Sequence, residues 1–159
     1  MIILLILLTR PVFWGATFGI ISPTGKTSEI IKSGGFIEGE IAIPVKSILF
    51  AGIEFSTTSL VMKGTGNSTF KILSLNPALF IIPQPVARGI ELESKLLLSR
   101  FVHDNPSNSF VFYGLGYAYG ASIKVASHPL KISISLDYNT FPSRKNNFSW
   151  IDLGIKIGK

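Results

Sequence analysis

Three side chains near the middle of the chain have the right chemistry for a nucleophilic hydrolase: the imidazole of His103, the carboxylate of Asp104 and the hydroxyl of Ser107. A triad works through mutual geometry, with the base bonded to the nucleophile and a third group orienting the base. Packed around Asn105-Pro106, these three read instead as a polar turn, and no catalytic residue is expected. The second histidine, His128, stands before Pro129 in a separate turn at the opposite end of the strands on either side of it, too far away to share a metal with the first. There is no cysteine, and the acidic residues do not form the clustered oxygen-ligand loop of a calcium site. No metal and no cofactor are expected.

The remaining charged groups show a more regular order. From Leu130 to Asn139, apolar Leu130, Ile132, Ile134, Leu136 and Tyr138 alternate with polar Lys131, Ser133, Ser135, Asp137 and Asn139. The same alternation sets Glu38 and Glu40 between Ile37, Ile41 and Ile43, and sets Glu91, Glu93 and Lys95 between Ile90, Leu92, Ser94 and Leu96. It returns at the end of the chain, where Ile151, Leu153, Ile155 and Ile157 interleave with Asp152, Gly154, Lys156 and Gly158. Strict period 2 is the mark of strands with two chemically different faces, and no segment shows an apolar stripe of helical period.

Composition decides what surrounds these strands. Of the 159 residues, 47% are hydrophobic and only 15% charged, against about 25% charged in an ordinary soluble domain. The longest aliphatic run, Ile2 to Leu8, falls short of the roughly 20 residues that a membrane-crossing helix requires. What remains for a membrane is a closed barrel, because only closure satisfies every backbone N–H and C=O in lipid. The net charge of +6 comes from scattered basic residues without a stripe or recognition motif, so nucleic acid is not an expected partner.

Eight strands are read near Val12–Ser22, Gly35–Val45, Ile48–Met62, Ser68–Ile82, Arg88–Val102, Ser109–Ser122, Pro129–Phe141 and Asn147–Gly158, with a bulge or bend at Asn76-Pro77. Short or proline-marked joins alternate with longer loops rich in Gly, Ser, Asn and Lys, the asymmetry of an outer-membrane barrel with short periplasmic turns and long external loops. The expected architecture is therefore all-β, an eight-stranded antiparallel up-and-down transmembrane barrel over residues 12–159. Residues 1–11 are read as the remnant of an export signal, because Thr9, Arg10 and Pro11 break the apolar run. Facing follows from the charges. If the apolar face meets lipid, the lumen receives Glu38, Glu40, Glu54, Glu91, Glu93, Asp137 and Asp152 together with Lys95, Lys131 and Lys156. Gly114, Gly116, Ala118 and Gly120 would point inward and make room, while Tyr113, Tyr117 and Tyr119 point outward. Trp14, Phe101, Tyr138, Phe141 and Phe148 lie near strand ends, as an interfacial aromatic girdle would. Two sequons, Asn67-Ser68-Thr69 and Asn147-Phe148-Ser149, are taken as chance in a bacterial setting.

This pattern resembles the small eight-stranded outer-membrane barrels typified by the OmpA transmembrane domain and OmpX. The terminal run Asp152-Leu-Gly154-Ile-Lys-Ile157-Gly-Lys159 is similar to the strand signal read by the barrel-assembly machinery, although that family usually ends on an aromatic residue. The resemblance implies a bacterial outer-membrane location, lipopolysaccharide as a neighbour and the assembly machinery as a partner during insertion. Lys26, Lys32, Lys63, Arg100, Arg144 and Lys145, toward the outer rim, are the candidate lipopolysaccharide contacts. Some barrels of this kind modify lipid A, but the His103 cluster lacks the spacing of the deacylase site. The expected role is structural, adhesive or in assembly, and not enzymatic. A soluble lipocalin-like barrel binding a small apolar ligand is the alternative, and a lipid A-modifying enzyme is the third.

If the apolar faces meet lipid, the purified protein should fold only with detergent or lipid and should migrate differently on gels before and after heating. A folded, monodisperse protein in plain buffer would contradict that reading.

Overall fold

In the computed structural model, residues 12–64, 68–81, 89–104, 110–142 and 147–159 are described. Period-2 alternation and richness in β-branched and aromatic residues produce eight strands. They are β1 (Phe13–Thr24), β2 (Ile31–Lys46), β3 (Leu49–Met62), β4 (Thr69–Ile81), β5 (Ile90–Asp104), β6 (Phe110–Ala126), β7 (Lys131–Phe141) and β8 (Phe148–Gly158). Each pairs antiparallel with its chain neighbours, and β1 pairs with β8, so the sheet is a closed barrel in simple sequential order. The expected export remnant, residues 1–11, lies outside the described residues.

One short helix, α1 (Thr27–Ile30), interrupts the β1–β2 connection and is absent from the sequence reading. Thr27 is buried there, and its Oγ1 accepts a hydrogen bond of 2.8 Å from the backbone N–H of Ser149 at the start of β8. The helix thus folds back over the barrel end, and β2 begins at Ile31, earlier than the Gly35 read from the sequence. Across Asn76-Pro77 the β4–β5 ladder loses its pairs but not its register, since Leu75↔Leu98 and Ala78↔Lys95 lie in one alignment. The expected bulge is not present. Proline lacks the N–H needed to continue the ladder, and the strand passes through unshifted.

Alternation now acquires two sides. The outward face carries exposed Phe18, Ile37, Phe55, Leu79, Leu115, Ile134 and Leu136, with Ile37 62% and Phe55 63% exposed. The inward face carries the acids and lysines. A soluble barrel would place these groups the other way round, since apolar patches of this extent are not tolerated against water. The soluble lipocalin-like alternative is therefore set aside. The aromatic girdle is corrected in part. Trp14 is exposed, but Phe101 and Phe141 are buried inside the barrel and Phe148 packs against the same interior cluster. Proximity to a strand end does not decide facing; the parity of the position does.

Parity predicts an unequal response to charge. Leu136→Lys, in the middle of the outward face of β7, should destabilise the barrel by about 2–4 kcal/mol, and Ile132→Lys, near its end, by about 0–1 kcal/mol. Urea unfolding in lipid vesicles measures both, and equal effects would contradict the assigned facing.

Candidate functional site

Inside the barrel the side chains form three layers. At the end that bears α1 and the β3–β4, β5–β6 and β7–β8 connections, Ile21, Phe36, Leu60, Phe70, Ile72, Phe101, Phe141 and Trp150 make an apolar cluster. Its rings interlock: Phe101 stands edge-on to Phe141 at 4.8 Å between centroids, and Phe141 stacks on Trp150 at 5.5 Å. At the opposite end Ala42, Ala78 and Phe80 pack with Phe13 and Phe50. Between them lies a polar belt.

The belt is organised by three lysines. Lys95 on β5 brings its Nζ 2.6 Å from Glu54, 3.0 Å from Glu93, 3.3 Å from Glu38 and 3.7 Å from Asp137, which joins β2, β3, β5 and β7 through a single ammonium. Lys156 on β8 pairs with Glu40 at 2.8 Å, with Glu93 at 3.6 Å and with Glu91. Lys131 on β7 reaches Glu91 at 2.6 Å and keeps 23% of its side chain exposed. Neutral partners complete the belt. The Asn76 amide donates to Glu54 at 2.8 Å, and the Asn139 amide donates to Asp152 at 2.6 Å. Below the belt, Lys156 Nζ lies 5.1 Å from the centre of the Phe80 ring and 5.3 Å from that of Phe13, so the lower aromatic layer also receives positive charge.

Backbone register explains how so many carboxylates fit. Glu93, Gly120, Asp137 and Asp152 lie in one cross-strand row over β5, β6, β7 and β8. A Cβ at Gly120 would collide with the Asp137 carboxylate and the Leu136 carbonyl, so the missing side chain is the space those acids occupy. All ten polar positions read from the sequence thus point inward and meet in one belt. Asn139 lies on the polar face already read for its strand, whereas Asn76, expected at a bulge or bend, joins the belt as well.

The remaining candidates are dispersed. Lys26, Lys32 and Lys63 are exposed at the α1 end, where Lys63 donates to the Ser28 carbonyl at 2.5 Å. Arg100 is exposed on the outward wall of β5. Arg144 and Lys145 lie outside the described residues. His103 is buried, with its ring 6.4 Å from that of Phe70, and Ser107 lies outside the described residues. His128 is exposed in the β6–β7 turn at the far end.

Removing the central ammonium should cost more than removing the peripheral one. Lys95→Met would leave four buried carboxylates without their shared partner, a loss of about 3–5 kcal/mol, whereas Lys131→Met removes one partly exposed pair and should cost on the order of 1 kcal/mol. Urea unfolding in detergent micelles would show the difference as a shift in midpoint. Equal costs would remove Lys95 from its central position.

No protein-family model matches this sequence, and no curated protein matches it. Solved structures do resemble it in fold. Neisserial surface protein A superposes with a TM-score of 0.61 at 13% identity, covering 92% of this chain and 95% of that one. Ail, the attachment invasion locus protein of Yersinia pestis, solved with the heparin analogue sucrose octasulfate, gives 0.58 at 12% identity over 93% and 99%. The N-terminal β-barrel domain of Pseudomonas aeruginosa OprF gives 0.56 at 13% identity over 94% and 98%. With a closed eight-stranded sheet, an apolar outer wall and this likeness over nearly its whole length, the chain has the fold of the small bacterial outer-membrane β-barrels.

Proposed function

We propose that this chain is a non-enzymatic barrel of the outer membrane with a structural or adhesive role, closed to bulk diffusion. The observation that carries the proposal is the filled interior. Two apolar layers and the ion-paired belt between them occupy the space that a pore would need. Eight strands enclose only enough room for side chains, whereas water-filled channels belong to barrels of about 16–18 strands. Every carboxylate of the belt is committed to a lysine or an amide, a pattern that holds strands in register and does not present a reactive group to a substrate.

The α1 end is assigned to the cell exterior because all four of its connections span five or six residues, whereas two of the three at the other end span only two and four, residues 82–89 between β4 and β5 being the exception. There the exposed cations Lys26, Lys32 and Lys63 would meet the phosphates of lipopolysaccharide, through charge-assisted hydrogen bonds. The likeness to Ail, whose structure contains a sulfated sugar analogue, supports an exterior that receives polyanions. The barrel-assembly machinery is the partner proposed for insertion, with β8 as the strand it reads.

Planar-bilayer recording tests the closed interior. The purified monomer should give no large, stable conductance, and Lys95→Met should not open one, since the apolar layers above and below the belt remain. Porin-sized steps from the wild-type monomer would overturn the proposal.

A further inference from the structure

The outward wall is apolar around most of the barrel. Among the described residues Ser22, Ser33 and Ser94 interrupt it singly and Lys32 stands exposed near the start of β2, whereas on β4 and β5 two cations come together. Lys71 lies two positions inside β4 and Arg100 four positions before the end of β5, both exposed and both toward the α1 end. Register makes them diagonal neighbours, since Lys71 opposes Val102 while Arg100 opposes Leu73. Hydroxyls surround them. Ser59 stands opposite Lys71, Thr57 opposite Leu73 and Tyr113 opposite Arg100. Ser59 and Thr57 are exposed, and Tyr113 is 78% exposed. Among the described residues of β2, β1, β8 and β7, the same two rows continue through Ile37, Phe18, Ile155 and Ile134, and through Gly35, Ile20, Leu153 and Leu136, without a polar side chain.

Among the described residues no carboxylate lies within ion-pair distance of Lys71 or Arg100. Two cations on a lipid-facing wall are unfavourable unless they reach the interface or meet an anion there. Shallow apolar grooves flank the pair. One of about 440 Å³ runs beside Arg100 between Leu73, Leu75, Leu98 and Tyr113. The other, of about 520 Å³, lies against Thr57 and Ser59 between Phe18, Ile20 and Ile37. Cations and hydroxyls between two apolar grooves match a lipid with a phosphorylated sugar headgroup and several chains.

We propose that the outward wall of β3–β6 binds a phosphorylated, multiply acylated glycolipid of the outer leaflet, with Lys71 and Arg100 on its phosphate, the three hydroxyls on its sugar and the grooves taking its chains. The site rests on the outer-membrane placement above, but not on a closed interior or on the absence of catalysis. Sequence reading singled out Arg100 and passed over Lys71, because the two become neighbours only through the β4–β5 register.

Native mass spectrometry of the protein released from micelles doped with bisphosphoryl lipid A measures the affinity directly. Lys71→Gln and Arg100→Gln should each weaken binding about fivefold and the double variant about 25-fold, while Lys124→Gln, exposed at the opposite end, leaves it unchanged. The wild-type protein should prefer bisphosphoryl lipid A over its dephosphorylated form and over phosphatidylglycerol, a comparison that does not depend on any variant folding. Undiminished binding by a double variant that keeps its heat-dependent gel shift would overturn the site. So would equal wild-type affinity for dephosphorylated lipid A, or equal affinity for phosphatidylglycerol, which would mean that any anionic lipid suffices. Large conductance in the bilayer experiment would overturn the closed interior and leave this result standing.

Discussion

Closure of the sheet, by the pairing of β1 with β8 from Gly15↔Gly158 to Thr24↔Ser149, is the constraint on which the rest depends. In hydrocarbon an unpaired strand edge leaves a row of N–H and C=O groups with no water to satisfy them. Closing the sheet removes that edge, and it also divides the molecule into a wall and an interior. Once it is closed, the period-2 alternation of each strand becomes a choice between lipid and lumen, and a slip of one residue would exchange the two faces. Glycines permit the tight seam, where Gly15, Gly19, Gly154 and Gly158 all lie on β1 or β8, and a Cβ at Gly19 would meet the backbone of Leu153.

Inside, the charges are better understood as determinants of register than as sources of net stability. Taking carboxylates and ammonium groups out of water is costly, and their attraction does little more than offset that cost. Lys95 nevertheless connects four strands, so any alternative pairing separates several ion pairs at once. The apolar layers above and below cover most of the belt, and a low dielectric strengthens every pair that remains satisfied. The belt and its covers therefore work together: the covers raise the cost of a mismatch, and the belt defines what counts as one.

Outside, the wall is largely apolar, and β3 to β6 gather hydroxyls and two cations toward the α1 end. A fully apolar wall would be sufficient to insert, so the departure calls for a chemical reason. Lys71, Arg100, Ser59, Thr57 and Tyr113 share one patch and the intervening Leu73 is apolar, which gives the patch the amphipathic character of a lipid interface.

The alternation of Leu130 to Asn139 and its counterparts was enough to indicate strand number and strand order, because period 2 is a local property and an antiparallel meander brings chain neighbours together; it separated two faces, and which of them meets lipid was decided by the exposure of the apolar one in the closed barrel. The ten belt residues were legible for the same reason: inward parity is readable residue by residue. What tertiary structure alone decided was which of them meet. Lys95 finds Glu38, Glu54 and Asp137 across the barrel, at distances set by closure and strand tilt, and no spacing along the chain encodes that convergence. The inward turn of Phe101, Phe141 and Phe148 follows from the parity they share with Lys95, Asp137 and Asp152, and a place near a strand end pointed the wrong way because an aromatic ring suits an interface as well as a packed interior. The fold of α1 over the rim and the meeting of Lys71 with Arg100 likewise depend on contacts between segments far apart in the chain or on the register between strands. Parity is written in the sequence, whereas proximity across a closed sheet arises only when the sheet closes.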